Sequence, residues 1–253
     1  MALNIGLKIG STNTQYTKDI LSFYDQNIFQ YIELFVPTNT YNETIDYWKQ
    51  FDIPFGIHAP HSAAGLNVSD VTARNDNKLK IEEALRFTDM LHAHYLIFHS
   101  GVDGTIEEVI TQLKPYADER FLIENKPVKG LRGEHCIGTD YKELASLISS
   151  IGKGCGFVLD FGHAICAANS LHEDPISFIK TLTLLNPRVY HLTDGDFNSE
   201  FDSHLHYGEG SFPLKQLLKM VPATSPITNE AKRKNQNNLH EFKADLEFLL
   251  KLV

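Results

Sequence analysis

The sequence predicts a single (β/α)8 barrel, and three observations predict it. Eight short apolar runs recur along 253 residues, segments with helical periodicity separate them, and the third to eighth runs each close on a histidine or a carboxylate. Apolar runs of this length are what parallel strands look like when both faces are buried. Eight of them in about 250 residues is the arithmetic of a (β/α)8 barrel, whose active site lies at the C-terminal ends of its strands.

The elements follow in order. The first strand is read in IGLKIG from Ile5, with a helix over 17–29. The second is YIELF from Tyr31, with a helix over 41–50 on which Tyr47 and Trp48 are read as packing. FGIH ends at His58 and opens a connection over 59–73. The helix over 74–92 is the best patterned, with Ile81, Leu85, Thr88 and His92 near helical spacing. YLIFH ends at His99, ahead of a helix over 105–117. FLIE ends at Glu124, followed by a connection over 125–139 and a helix over 140–151; Asp140 is its expected N-cap. GFVLD ends at Asp160, with a helix over 173–185. VYH ends at His191, then a connection over 193–210 and a helix over 211–220. PITNE ends at Glu230, and the last helix covers 238–251. With no linker or low-complexity tract, one domain over 1–253 is the economical reading.

Composition narrows the class. At 42% hydrophobic the chain can bury a full core. No stretch approaches the roughly 18 apolar residues of a membrane span, so no membrane association is expected. The amino terminus lacks the pattern of a signal peptide. Cys136, Cys155 and Cys166 form no C-x-x-C pair and read as reduced thiols of a cytoplasmic protein. The triplets at Asn42 and Asn67 are then chance matches to a glycosylation signal. A net charge of −9 argues against broad nucleic-acid binding, although bound metal cations would override it locally.

The residues at the strand ends carry the chemistry. His58, His99, Glu124 and Asp160 would aim their side chains at the barrel mouth, and imidazole with carboxylate is a ligand set for zinc or manganese. Asp160-Phe161-Gly162-His163 places an imidazole three residues beyond a carboxylate. His191 is followed by Asp202-Ser203-His204, whose alternate residues would share a face if the loop is extended. Gly208-Glu209-Gly210 gives a flexible turn.

These residues resemble the xylose isomerase-like superfamily, which includes endonuclease IV, AP endonuclease family 2 proteins, and sugar isomerases and epimerases. The resemblance runs from IELF at strand 2 to ITNEA at strand 8. It implies a metal held by Glu124, Asp160, His191 and Glu230. The endonuclease IV-like pattern further implies His58 and His99 beside Glu124, and His163, Asp202 and His204 around a third ion. The cofactor expected is therefore a divalent metal, zinc or manganese, in one to three copies.

Two reactions fit such a site, and the first is the one expected, the second its alternative. Isomerisation or epimerisation of a sugar or sugar phosphate needs one metal and two proton-moving carboxylates, Glu124 and Glu230, with His163 on the substrate. Phosphodiester hydrolysis on DNA would use three zinc ions. Departures from the endonuclease pattern favour a small sugar-like substrate: Val36-Pro37-Thr38-Asn39-Thr40 and His61-Ser62-Ala63-Ala64 carry no large wedge, and Ser203 stands where an arginine is expected. Nucleotide flipping costs a few kcal/mol and uses wedges and phosphate-binding cations. A non-catalytic metal-binding barrel is the third class.

Further candidates lie in the mouth loops. His61, His206 and Glu209 are read as substrate contacts, and Lys126, with Arg132, as phosphate-binding cations. Glu33 is a polar residue inside strand 2, in reach of a substrate. His92, His94, His135, His172 and His240 read as structural or exposed. The sequence leaves a homodimer open.

Overall fold

The structure is a computed structural model that describes residues 3–130 and 132–252, so the ends of the 1–253 domain lie outside it. Eight strands close a barrel in sequence order: β1 Asn4–Gly10, β2 Tyr31–Phe35, β3 Phe55–His58, β4 Leu96–His99, β5 Phe121–Glu124, β6 Gly156–Asp160, β7 Val189–Leu192 and β8 Pro226–Asn229. Every pairing is parallel, including β8 with β1, so the sheet has no free edge. The fold is the predicted single (β/α)8 TIM barrel.

Two cores result from the period of two along each strand. Ile32, Leu34, Leu96, Phe98, Phe121, Ile123, Phe157, Leu159, Tyr190 and Leu192 face outward and pack against helix residues such as Phe87, Leu113 and Leu147. The alternate residues Tyr31, Ile97, Leu122, Val158 and Val189 face the lumen, with Tyr95 among them. Tyr95 fills space that a side chain at residue 56 would need: a Cβ on Gly56 would lie 2.1 Å from its ring.

That layer places the site. Two residues further along the same strands, on the same inward face, come Glu33, His99, Glu124, Asp160 and His191. Lys8, His58 and Glu230 join this layer from β1, β3 and the residue after β8, as their contacts below show. His99 sits opposite Glu124 in the register, and Asp160 opposite His191.

The helices are α1 Thr17–Asp25, α2 Tyr41–Trp48, α3 Arg74–Met90, α4 Ile106–Leu113, α5 Tyr141–Ile151, α6 Phe161–Ser170, α7 Pro175–Thr183, α8 Leu214–Leu218 and α9 His240–Leu249. Asp140 caps α5 as expected, accepting from the amides of Lys142 and Glu143. Trp48 is fully buried, and its indole donates to the Ser11 carbonyl at 2.7 Å. All three cysteines are buried and free.

One element differs from the sequence reading. The crossover after β6 carries two helices, and α6 was not anticipated. Its residues Phe161 to Ala168 are all buried, so no polar face gives it a helical period. Several expected helices also prove shorter, α8 most of all. The connection over 59–73 holds two short 3-10 turns, Ser62–Ala64 and Val71–Ala73.

Candidate metal centre

Strand geometry brings the six strand-end residues together, and two loops add the rest. Glu124 is the hub. Its Oε2 lies 3.1 Å from His58 Nε2, 3.1 Å from His99 Nε2 and 3.4 Å from His191 Nδ1. Its Oε1 lies 3.1 Å from His163 Nδ1. Glu230 Oε1 is 2.7 Å from His191 Nδ1, and Asp160 Oδ2 is 3.9 Å from the same nitrogen.

α6 supplies the next member. Asp160 caps that helix by accepting from the His163 amide at 2.6 Å, which sets the imidazole one turn beyond the carboxylate. His163 Nε2 then faces Asp202 Oδ2 at 3.5 Å, and His204 Nε2 lies 2.9 Å from that oxygen. Gly162 gives Asp202 its room, since a Cβ there would meet Asp202 Oδ1 at 3.1 Å. The loop carrying Asp202 and His204 is not extended: His204 has φ +49°, and the pair meets through a left-handed turn. Asp194 ties this loop down by accepting from the amides of Gly208, Gly210 and Phe212.

Hydrogen bonds at the far side of three rings fix which nitrogen faces the centre. His58 Nδ1 pairs with the Ala59 carbonyl at 2.8 Å, leaving Nε2 toward Glu124. His163 Nδ1 is 2.9 Å from the Asn125 carbonyl, leaving Nε2 toward Asp202. His191 Nε2 is 3.0 Å from Glu33 Oε2, leaving Nδ1 toward Glu124 and Glu230. Such outer partners orient metal-binding imidazoles and raise their basicity.

The charges are strongly perturbed. Burial raises the Asp160 carboxyl to about 6. Burial alone would lower His163, but Asp160, Glu124 and Asp202 outweigh it and raise the imidazole to about 10. Burial opposes the charged forms of Glu124 and Glu230 too; the facing imidazoles, with Lys8 at Glu230, still hold both well below the usual range.

The residues fit divalent metal. His58, His99 and Glu124 form one group of potential ligands, Glu124, Asp160, His191 and Glu230 a second, and His163, Asp202 and His204 a third; within each, ligand atoms lie within 4.8 Å of one another. His99 Nε2, Glu124 Oε1, His191 Nδ1 and Asp202 Oδ2 are buried and misaligned for any hydrogen bond, although ionisable neighbours stand close. Lone pairs converging on shared points without hydrogen bonds between them are the arrangement that cations satisfy.

The other sequence candidates divide. Lys126 is buried, with Nζ 3.4 Å from His99 Nδ1, and so borders the centre. His61 stacks on Phe35 and on His99 at the mouth, and burial, then the neighbouring His58 and Lys126 charges, lower it to about 4. His206 is turned onto Asp245 of α9 at 2.9 Å, and Glu209 is exposed and paired with Lys234 at 2.6 Å; neither belongs to the ligand groups. Arg132 is exposed and its amide donates to Glu134. Glu33 is fully buried and accepts from Tyr95 and Thr228 as well as facing His191, which makes it a support for the ring rather than a substrate contact. Sequence reasoning missed Lys8, whose ammonium reaches Glu230 and Glu33, and Asn125, whose side chain bonds the backbone of Asp160 at both ends.

The comparisons agree with this architecture. A protein described as a probable endonuclease 4 from Thermoplasma volcanium is 25% identical over 177 residues, covering 65% of this chain and 61% of that protein. The chain thus matches less than two thirds of the length of that relative. A D-tagatose 3-epimerase-like protein superposes with TM-score 0.73 at 19% identity, over 97% of this chain and 96% of the other. Endonuclease IV from Thermus thermophilus superposes with TM-score 0.70 at 19% identity, over 97% and 99%. Proteins named as epimerase-like and as an endonuclease thus share this fold. Residues 29–252 match the model of the xylose isomerase-like TIM barrel family, and the chain belongs to that family.

Proposed function

We propose that the protein is a metal-dependent phosphoester hydrolase that holds three divalent ions. The observation that carries this reading is Glu124, which belongs to two adjoining ligand groups while a third group stands next to them on His163, Asp202 and His204. Clustered divalent ions supply an activated water and neutralise the charge on an attacked phosphate. The chain's own residues would hold that arrangement: Asn125 and the Ala59 carbonyl set ring orientation, and Lys126 adds a cation at the rim. A curated relative described as a probable endonuclease 4 supports hydrolysis.

The small side chains Thr38, Asn39, Ala63 and Ala64 in the loops after β2 and β3 favour a small phosphoester over damaged duplex DNA. The sequence alone leans to isomerisation or epimerisation, and one observation keeps that as the second reading. The Glu124, Asp160, His191 and Glu230 group is complete by itself and would serve a single ion on a sugar-like substrate. The test is to incubate zinc- and manganese-loaded protein with bis(p-nitrophenyl) phosphate, a panel of sugar phosphates, and a duplex containing one abasic site. Metal-dependent phosphate or nitrophenol release is the expected result. Solvent deuterium entering a ketose at carbon, without phosphoester cleavage, would overturn hydrolysis and establish the second reading.

A further inference from the structure

The geometry points to Lys8 as a resident counter-cation that competes with the metal ion for Glu230. Lys8 occupies the place in β1 that the ligands occupy in the other strands, and its ammonium hydrogen-bonds Glu230 Oε1. The same ammonium lies 3.4 Å from Glu33 Oε1. Glu230 Oε1 is also the oxygen that faces His191 Nδ1, so it is the atom a metal held by Glu124, Asp160, His191 and Glu230 would use.

A further grouping makes the point sharper. Glu33, His58, His191 and Glu230 satisfy the same ligand geometry as the three groups above, yet Lys8 already stands between its two carboxylates. The cation of that corner is therefore built into the chain. Glu33 Oε2 is taken by Tyr95, Thr228 and His191, which leaves Oε1 for Lys8 alone. When an ion arrives, Lys8 gives up or shares Glu230 and keeps Glu33. Two consequences follow from charge alone. The metal-free site is stabilised, because the ammonium offsets carboxylates that would otherwise repel one another. Metal affinity is weakened, because the ion must displace one cation and bind beside it.

This inference rests on the site holding a divalent ion, and not on which reaction the ion serves. The experiment is a chelator-competition titration of zinc and of cobalt with wild type, Lys8→Met, Lys8→Gln and Lys8→Arg, together with melting curves of the metal-free forms. Lys8→Met and Lys8→Gln are expected to bind the ion on the order of tenfold more tightly, with a lower metal-free melting temperature. Lys8→Arg, which keeps the charge, is expected to bind like wild type. A side chain that only props up the site would lose affinity on removal, so a gain is not produced by damage. Unchanged or weaker binding in both uncharged variants, beside an ion-binding wild type, overturns the proposal alone. Failure of wild type and variants alike to bind any ion overturns this proposal and the metal site together. Lys8→Gln keeps a donor to Glu230, so the comparison survives if Lys8→Met does not fold without metal.

Discussion

At Glu124 one carboxylate oxygen faces His58 and His99 of one group and His191 of the next, so its loss removes a ligand from two of the three groups. If the proposed three-ion hydrolase reading holds, Glu124→Gln is expected to reduce bound metal from about three ions to about one and to abolish the proposed hydrolysis, as read by elemental analysis and phosphate release. Glu33→Gln acts one step back, through His191, and should weaken metal binding roughly 10- to 100-fold while leaving the other two groups filled. The metal-free protein has its own signature. His163 is raised from 6.5 to about 10 by the surrounding carboxylates, so its ion pairs stabilise the fold fully below pH 6.5 and are lost as pH rises toward 10. Melting temperature in chelator should therefore fall across that window, and the zinc-loaded protein should not show the fall. A flat profile in chelator would contradict the charge assignment. At this scale much of the site was legible, because six ligand-layer residues terminate apolar runs or directly follow them. Lys8 was not, and Glu33 was read only as in reach of a substrate, since β1 and β2 run two residues past that layer and hide their polar residues inside IGLKIG and YIELF.

Among the elements, α6 and the lumen layer position the site. α6 begins at Phe161, directly after the Asp160 cap, and this sets the depth of His163 relative to Glu124. Its burial on all sides erased the periodicity that marks α3, which is why the apolar pattern did not mark it as a helix. The short interval between Asp160 and His163 was still a usable signal, because a coiled turn is the compact way to bring the two side chains together. Below the site, Gly56 admits Tyr95, whose hydroxyl bonds Glu33 at 2.9 Å. Gly56→Ala should force that ring out of place and cost about 1–3 kcal/mol in urea unfolding, with weakened metal binding as a second effect. Asp140→Ala, which removes the cap of α5 and whose carboxylate meets only the Lys142 and Glu143 amides, should cost about 1 kcal/mol and leave metal binding intact. The contrast separates the scaffold from the layer that supports the site.

For the whole molecule, barrel closure converts eight separate strand ends into one mouth, and that is why a pattern spread over the chain acts as one site. The fold class was legible because each strand is short, apolar and spaced by a crossover, and the closed topology follows from those spacings. Loop conformation was not, as the left-handed turn at His204 and the turning of His206 onto Asp245 depend on contacts distant in sequence. Buried carboxylates crowded at the mouth should make the fold depend on its ions, so chelation should lower the melting temperature and added zinc restore it. The most direct measurement is a crystal structure of the zinc-loaded protein with anomalous scattering at the zinc edge. Three peaks are expected: between His58, His99 and Glu124; between Glu124, Asp160, His191 and Glu230; and between His163, Asp202 and His204. A single peak at the second position, or none, would contradict a three-ion centre.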